Sequence, residues 1–380
     1  MNIQDLIEQT KVSFCQDCGV CTGSCPVSRV LPGFSPQRMV SKFVLSADLG
    51  LEDEALSDRD MWSCLTCALC LQRCPSKVEY LEFVRAVREE AFRTGNKATF
   101  AHDGVMETIV NMQRGGLRQN KTAWAREAGR IAESGDYYLF VGCLPYFDVL
   151  FRDMGISSLS SAGQMLKMLN KLGIEPVISD EERCCGHDML WSGNVDGFKE
   201  LAAFNIEMIK RCGAKKVIFG CPEGYVVFKA YYPLYFEELD FEVVHFYDLV
   251  GEQIKDGALQ LDHAEEHTVT YQDPCRLGRM AGIYEAPREL IAAMPGVKLV
   301  EMERNRENAV CCGVSCWANC ASYSRQIQMD RIKEAEATGA DTIITACPKC
   351  KIHFTCALSS TDVGMEVKDL TCLMGSAMEI

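Results

Sequence analysis

Residues 306–320 read RENAVCCGVSCWANC, with Cys311 and Cys312 side by side and Cys316 and Cys320 close behind. Adjacent Cα atoms lie about 3.8 Å apart, whereas a relaxed disulfide wants roughly 4.4–6.8 Å, so neighbours bridge poorly. Two consecutive sulfurs presented at one spot suit a metal centre. The pattern recurs along the chain. A second CC pair stands at Cys184 and Cys185, single cysteines stand at Cys143, Cys221 and Cys275, and Cys347 and Cys350 form a C-x2-C. In all there are 22 cysteines among 380 residues. The start, MNIQDLIEQTKVSFC, lacks the apolar core of a secretion signal, so a cytoplasmic location is expected. Cysteine in that setting points to metal or redox chemistry rather than to a disulfide framework.

The first 75 residues carry the most specific spacing. CQDCGVCTGSCP places Cys15, Cys18, Cys21 and Cys25 as C-x2-C-x2-C-x3-C-P, and CLTCALCLQRCP repeats it with Cys64, Cys67, Cys70 and Cys74. Three thiolates two residues apart converge on one cubane as the loop coils around it. In two-cluster ferredoxins the fourth cysteine of each run crosses to the other cluster. Cys15, Cys18, Cys21 and Cys74 are therefore expected on one [4Fe–4S] centre, and Cys64, Cys67, Cys70 and Cys25 on the other. Pro26 and Pro75 close the loops. A zinc ribbon is the competing assignment for C-x2-C pairs, and two complete runs ending in C-P disfavour it.

The elements that must hold these residues follow from pattern. SPQRMVSKFVLSADLG and VEYLEFVRAVREEAFRTG read as helices, the second closed by Gly95, which makes residues 1–94 a helical two-cluster module. Residues 95–135 read as a partly helical linker. Beyond it short apolar strands alternate with helices such as SAGQMLKMLNKLG and GFKELAAFNIEMIKRCG. YYLFVGC, IEPVIS and KKVIFGCP lead to Cys143, Cys184–Cys185 and Cys221; HTVTYQDPC, VKLVEM and DTIITACPKC lead to Cys275, Cys311–Cys312 and Cys347–Cys350. Matching cysteines are offset by 132, 127 and 126 residues, the mark of an internal duplication, with halves at 136–257 and 258–380. The expected fold is α+β multidomain: a helical ferredoxin-like domain, then a duplicated α/β domain with parallel sheets and cysteines at the strands' carboxyl ends.

The motif C-x(35–40)-CCG-x(35)-C-x2-C, carried twice, resembles the CCG domain of the heterodisulfide reductase superfamily. The chain looks like that enzyme's ferredoxin-type subunit fused to its catalytic subunit. FSPQRMV, YQDPCRLGRMAGIYEAPREL and ENAVCCG carry the resemblance further, and it spans nearly the whole chain. It implies a non-cubane [4Fe–4S] cluster on five cysteines, here Cys275, Cys311, Cys312, Cys347 and Cys350. In the family, two irons of such a centre split a disulfide and hold each thiolate until two electrons have arrived singly. The first half departs from the pattern. Cys143, Cys184, Cys185 and Cys221 are present, but Gly224 stands where the last cysteine belongs. Either an ordinary cubane on four thiolates or a centre completed by Glu223 fits, and substrate chemistry is expected mainly at the second half.

Further candidates surround the motifs. His187 follows the first CC pair and is a candidate catalytic proton donor, as is His353 beyond Cys350. Arg276 and Arg279 offer fixed positive charge, and Trp317 a wall beside the cysteines. Cys316 and Cys320 either line the substrate pocket or pack as small hydrophobes. No Walker loop and no G-x-G-x-x-G after a strand occurs, so electrons must come from a partner, a flavoprotein or a membrane cytochrome. The formal charge of −14 argues against nucleic acid. No apolar run reaches the length of a membrane span, so any membrane association is expected to be peripheral, through a partner. Two functions remain: reduction of a small mixed disulfide at the CCG centre, or non-catalytic electron transfer between a flavin dehydrogenase and quinone.

Overall fold

The computed structural model describes residues 3–236, 239–262, 266–318 and 320–378. Two compact units are assembled from discontinuous stretches. The first joins Met1–Ile109 with His187–Phe198 and Val310–Arg331; the second joins Val110–Gly186, Lys199–Ala309 and Ile332–Ile380.

The first unit is helical where the periodicity predicts. Ser35 accepts a hydrogen bond from the Arg38 amide and caps Pro36–Leu49, which Gly50 ends in the left-handed region at φ 68°. Met39, Val40 and Phe43 face inward from it. Helix Tyr80–Arg93 buries Val84, Val87 and Ala91, and Phe83 meets Phe43 edge-to-face at 5.5 Å. One charged side chain, Arg88, lies on the same buried stripe. Pro26 does more than end a loop: it occupies the first turn of a short helix, Pro26–Val30, where its missing N–H is not needed.

The second unit holds two parallel sheets. β1 (Tyr137–Phe140), β2 (Lys216–Phe219) and β3 (Glu242–His245) lie in the order β1-β2-β3. β4 (His267–Gln272), β5 (Val297–Leu299), β6 (Thr342–Thr345) and β7 (Glu366–Asp369) lie in the order β5-β4-β6-β7. All ladders are parallel, as βα alternation requires. The duplication is visible in these orders, since β1, β2 and β3 match β4, β6 and β7. IEPVIS, expected as a strand, makes only isolated parallel bridges of Val177 to Tyr138 and to Ala132, at the place β5 fills in the other half. Pro176 lies next to that bridge and lacks the amide a longer ladder would use. β3 and β7 have no counterpart among the expected strands.

Each of those two strands ends in a helix cap. The Tyr247 amide donates to His245 Nδ1 and the Thr371 amide to the Asp369 carboxylate. His245 is fully buried, and burial pushes its pKa down to about 3. Because the folded value lies below the unfolded one of about 6.5, this group's contribution is complete above that value and is lost as pH falls toward the folded one. Between pH 7 and pH 5 the loss amounts to about 2 kcal/mol. His245→Phe should therefore show a flatter fall in urea midpoint over that interval than the parent; parallel curves would refute it.

Candidate metal centres

The two N-terminal cysteine runs adopt one backbone. Asp17 and Gly19 in the first loop, and Thr66 and Ala68 in the second, all have positive φ, at 55°, 73°, 47° and 62°. These left-handed residues alternate with Cys18 and Cys67 and turn the chain around a common point before short helices begin at Val20 and Leu69. The Thr66 amide donates to Cys64 Sγ at 3.4 Å. Helices Val20–Ser24 and Leu69–Arg73 pack together, and Cys25 and Cys74 stand at their ends.

The electrostatics report which thiols gather. Burial pushes the Cys25 thiol up to about 12, and Cys67 and Cys64 add to it. Cys70 is driven up first by burial, then by Cys64, Cys67 and Cys25. Cys64, Cys67, Cys70 and Cys25 thus lie close together. Cys21 is raised by burial and then by Cys15 and Cys18. Cys64 and Cys67 are buried, whereas Cys18 is exposed, with Phe14 and Val20 exposed around it in sequence.

In the second unit Cys143, Cys184, Cys185 and Cys221 form one constellation. Cys143 Sγ and Cys184 Sγ are 3.7 Å apart. Cys185 is pushed up by its hydrogen bond with Cys184 and by burial, and feels Cys143 and Cys221. The loop is braced from several sides: the Cys184 amide donates to Gln113, Asn205 donates to the Cys184 carbonyl, and Tyr232 donates to that of Cys185. Cys143 and Cys221 sit two or three residues past β1 and β2, immediately before helices. The amides of Glu223 and Gly224 favour the Cys221 thiolate, although burial dominates and keeps its pKa high. Thiols so raised and so crowded remain thiolates only when a cation holds them, and the donor set fits iron–sulfur ligation.

Behind this group lies an ion pair that pattern reading missed. Lys121 Nζ is 2.9 Å from Glu182, both essentially buried, and Glu182 also accepts from the amides of Val141 and Gly142, just ahead of Cys143. Burial works against the Lys121 ammonium, but Glu182 outweighs it and holds its pKa above the ordinary lysine value. The only hint in the sequence is a carboxylate in EERCCG, two residues before the cysteine pair.

Glu223, the candidate substitute ligand, is otherwise engaged. Its carboxylate lies 2.7 Å from Lys349 Nζ, and the pair is nearly buried. The two residues occupy equivalent places in C-P-E-G and C-P-K-C, so the pair joins the two halves, and Cys221 feels the charge of Cys347. Gly224 occupies the missing position. A Cβ there would lie 3.9 Å from that of Cys185 but only 3.1 Å from the Phe219 ring, which Phe140 and Phe228 pack against.

Of the second motif, Cys275 follows β4, and Cys347 and Cys350 open helix Pro348–Leu358, the latter two buried. Cys311 and Cys312 are buried in the first unit, 2% and 5% exposed. Arg279 donates to the carbonyls of Glu307 and Ala309, which makes it a brace for the segment leading to them. Arg276 and His353 are buried. His187 is buried with Nδ1 2.8 Å from Asp188. Cys316 and Trp317 are buried with φ of 42° and 57°, while Cys320 is exposed. A cleft of about 780 Å³ lined by Ser160, His267, Lys351 and Lys368 contains none of the cysteines of either motif. Among the described residues no helix is long and apolar enough to cross a membrane.

Comparison with known proteins agrees with this geometry. The cysteine-rich CCG domain matches residues 137–229 and 269–355, and the 4Fe-4S dicluster domain matches residues 11–78. One polypeptide of the dihydromethanophenazine:CoB–CoM heterodisulfide reductase of Methanosarcina acetivorans is 30% identical, over 98% of this chain and 95% of its own. The EtfAB:quinone oxidoreductase of Syntrophomonas wolfei is 26% identical, over 86% of this chain and 48% of its own. A solved structure of a hypothetical protein from Helicobacter pylori superposes with a TM-score of 0.58 at 13% identity, over 100% of this chain and 78% of that one, and shows the fold alone. With a dicluster domain followed by two CCG repeats, and this likeness along almost its full length, the chain belongs to the heterodisulfide reductase family of iron–sulfur oxidoreductases.

Proposed function

We propose that the protein takes electrons from a flavoprotein or cytochrome partner and reduces a disulfide of heterodisulfide type. In this reading Cys15, Cys18, Cys21 and Cys74 hold one cubane, and Cys64, Cys67, Cys70 and Cys25 hold the other. Cys275, Cys311, Cys312, Cys347 and Cys350 hold the non-cubane centre. The observation that carries the reading is the intact second motif, with all five cysteines present and four of them buried. When bound, the clusters supply one-electron storage and sites on iron for sulfur. The overall reaction takes one disulfide, two electrons and two protons to two thiols.

The chain's own residues exclude water and fix charge. Arg279 ties down the approach to Cys311 through two carbonyls. His187, its ring oriented by Asp188, is the proton source in this reading. Cys143, Cys184, Cys185 and Cys221 hold a four-thiolate relay, because Lys349 engages Glu223 and the Phe219 ring crowds the place of a fifth sulfur. Exposed Cys18, with Phe14 and Val20 beside it, suits the first-loop cubane as the point of electron entry. A second reading, electron transfer to quinone without substrate chemistry, has the quinone-oxidoreductase relative and Gly224 in its favour.

Mössbauer spectroscopy on ⁵⁷Fe-loaded, anaerobically purified protein tests the assignment. About sixteen irons per chain are expected, eight in ordinary cubanes from the N-terminal runs, with a non-cubane signature among the rest. About eight irons, unchanged after reconstitution, would remove the CCG clusters from the proposal.

A further inference from the structure

Arg88 is fully buried, yet among the described residues no carboxylate pairs with it. Its guanidinium donates to three main-chain carbonyls: Met61 at 2.7 and 3.2 Å, Cys64 at 2.7 Å and Trp191 at 2.9 Å. Trp62 lies under it at 5.2 Å. Two other buried cations described above have carboxylates: Lys121 has Glu182 and Lys349 has Glu223. A buried cation with only carbonyls around it is costly unless an anion stands near. In the cubane assignment above, the anion is the thiolate-bound cluster on Cys64, Cys67, Cys70 and Cys25. The Tyr80 phenol, on the same helix, feels Cys64, Cys70 and Cys25 and also Arg88, which places the guanidinium and those sulfurs around one side chain. A cubane on four thiolates carries a net charge of −2 when oxidised and −3 when reduced, so a fixed cation favours the reduced form.

The same junction is where the stretch that follows the first CCG and the second CCG segment itself meet the ferredoxin-type module within the first unit. Trp191, whose carbonyl Arg88 holds, lies on helix His187–Trp191, which directly follows the first CCG. Gly193 (φ 84°) approaches so closely that a Cβ would fall 2.1 Å from the Arg88 carbonyl oxygen. From the second CCG segment, Ser315 hydrogen-bonds Thr66 of the Cys64–Cys67 turn at 2.8 Å, and the Trp317 carbonyl accepts from the Ala101 amide at 2.6 Å. The first loop has no such attachment among the described residues.

We propose that Arg88 is the fixed countercation of the centre on Cys64, Cys67, Cys70 and Cys25 and makes it the higher-potential cubane, so that electrons collect beside the second CCG segment and the stretch that follows the first. The inference rests on the cubane assignment above. Filling the centre takes one electron from a one-electron donor, with no bond made or broken.

The test is an EPR-monitored redox titration of the full, cluster-loaded chain, with iron counted in each sample. Arg88→Gln should lower one cubane's reduction equilibrium at least tenfold, about 59 mV for a one-electron couple, and leave the other unmoved. Arg88→Lys, which keeps the charge and loses the fork of hydrogen bonds, should retain most of the parent value. In the otherwise unaltered chain, Cys70→Ser should perturb the higher-potential signal and Cys18→Ser the lower, an outcome that does not depend on Arg88 variants folding. Normal iron with neither signal moved in Arg88→Gln, or with Lys falling as far as Gln, overturns the role of Arg88 alone. A higher-potential signal that answers to Cys18→Ser overturns it as well. Absence of any cubane signal in the parent protein instead overturns the cluster assignment beneath it.

Discussion

Replacing Cys312 by serine should lower disulfide reduction by more than about 100-fold while leaving the eight irons of the N-terminal cubanes in place. The magnitude follows from the position: losses of 10–100-fold accompany changes merely behind metal ligands, and Cys312 is assigned as a ligand itself. It is 5% exposed, beside Cys311 at 2%, so solvent cannot easily supply a replacement donor. Serine keeps the volume, and its hydroxyl is a far poorer ligand for iron than a thiolate. The assay is consumption of a mixed disulfide with a reduced one-electron dye as donor, alongside iron content. Cys320→Ser is the control, since that thiol is exposed and should be dispensable. Activity within twofold of the parent in Cys312→Ser would place the chemistry elsewhere, and loss in Cys320→Ser alone would indicate thiol exchange.

The second large effect concerns stability. Lys121→Met leaves the Glu182 carboxylate buried without its cation, a change that typically costs 3–5 kcal/mol. Burial already pushes that carboxyl above its usual range with Lys121 opposing. Because Glu182 accepts from the Val141 and Gly142 amides, the damage reaches Cys143 directly, and about four irons should be lost with the stability. Lys121→Met combined with Glu182→Gln should recover part of both, since the paired deletion removes the uncompensated charge. A fall in unfolding free energy below about 1 kcal/mol for the single variant, measured by urea titration, would show the pair to be immaterial.

The pattern of cysteine motifs and of alternating strands and helices made the family resemblance, the parallel α/β fold and the duplication legible before any coordinates. It did so because ligands must recur at fixed intervals, and because strands buried on both faces read as apolar runs. β3 and β7 escaped because EVVH and EVKD are four residues long and alternate too briefly to announce a strand. IEPVIS looked more like a strand than it is, since pattern alone does not show that Pro176 interrupts the ladder. The charged groups were hidden for another reason. Arg88, Lys121 and Lys349 derive their meaning from partners 27 to 126 residues away, at Met61, Glu182 and Glu223, and one sequence carries no record of which distant side chain a buried charge will meet. Arg88 left one trace, a cation at the position where Val84 and Ala91 call for an apolar residue.

The interleaving of the first unit bears on how the protein is made. Its N-terminal 109 residues include every cysteine of the two ferredoxin runs, but its remaining pieces, His187–Phe198 and Val310–Arg331, come much later in the chain. At translation rates of about 5–20 residues per second, roughly 10–40 s separate the appearance of Ile109 from that of Arg331. Through about the first third of that interval Arg88 has no Trp191 carbonyl, and through nearly all of it Thr66 has no Ser315 to close over it. The nascent loops therefore stay open to the machinery that delivers iron and sulfide, and the same residues that finish the core of the unit also shut the door on its clusters.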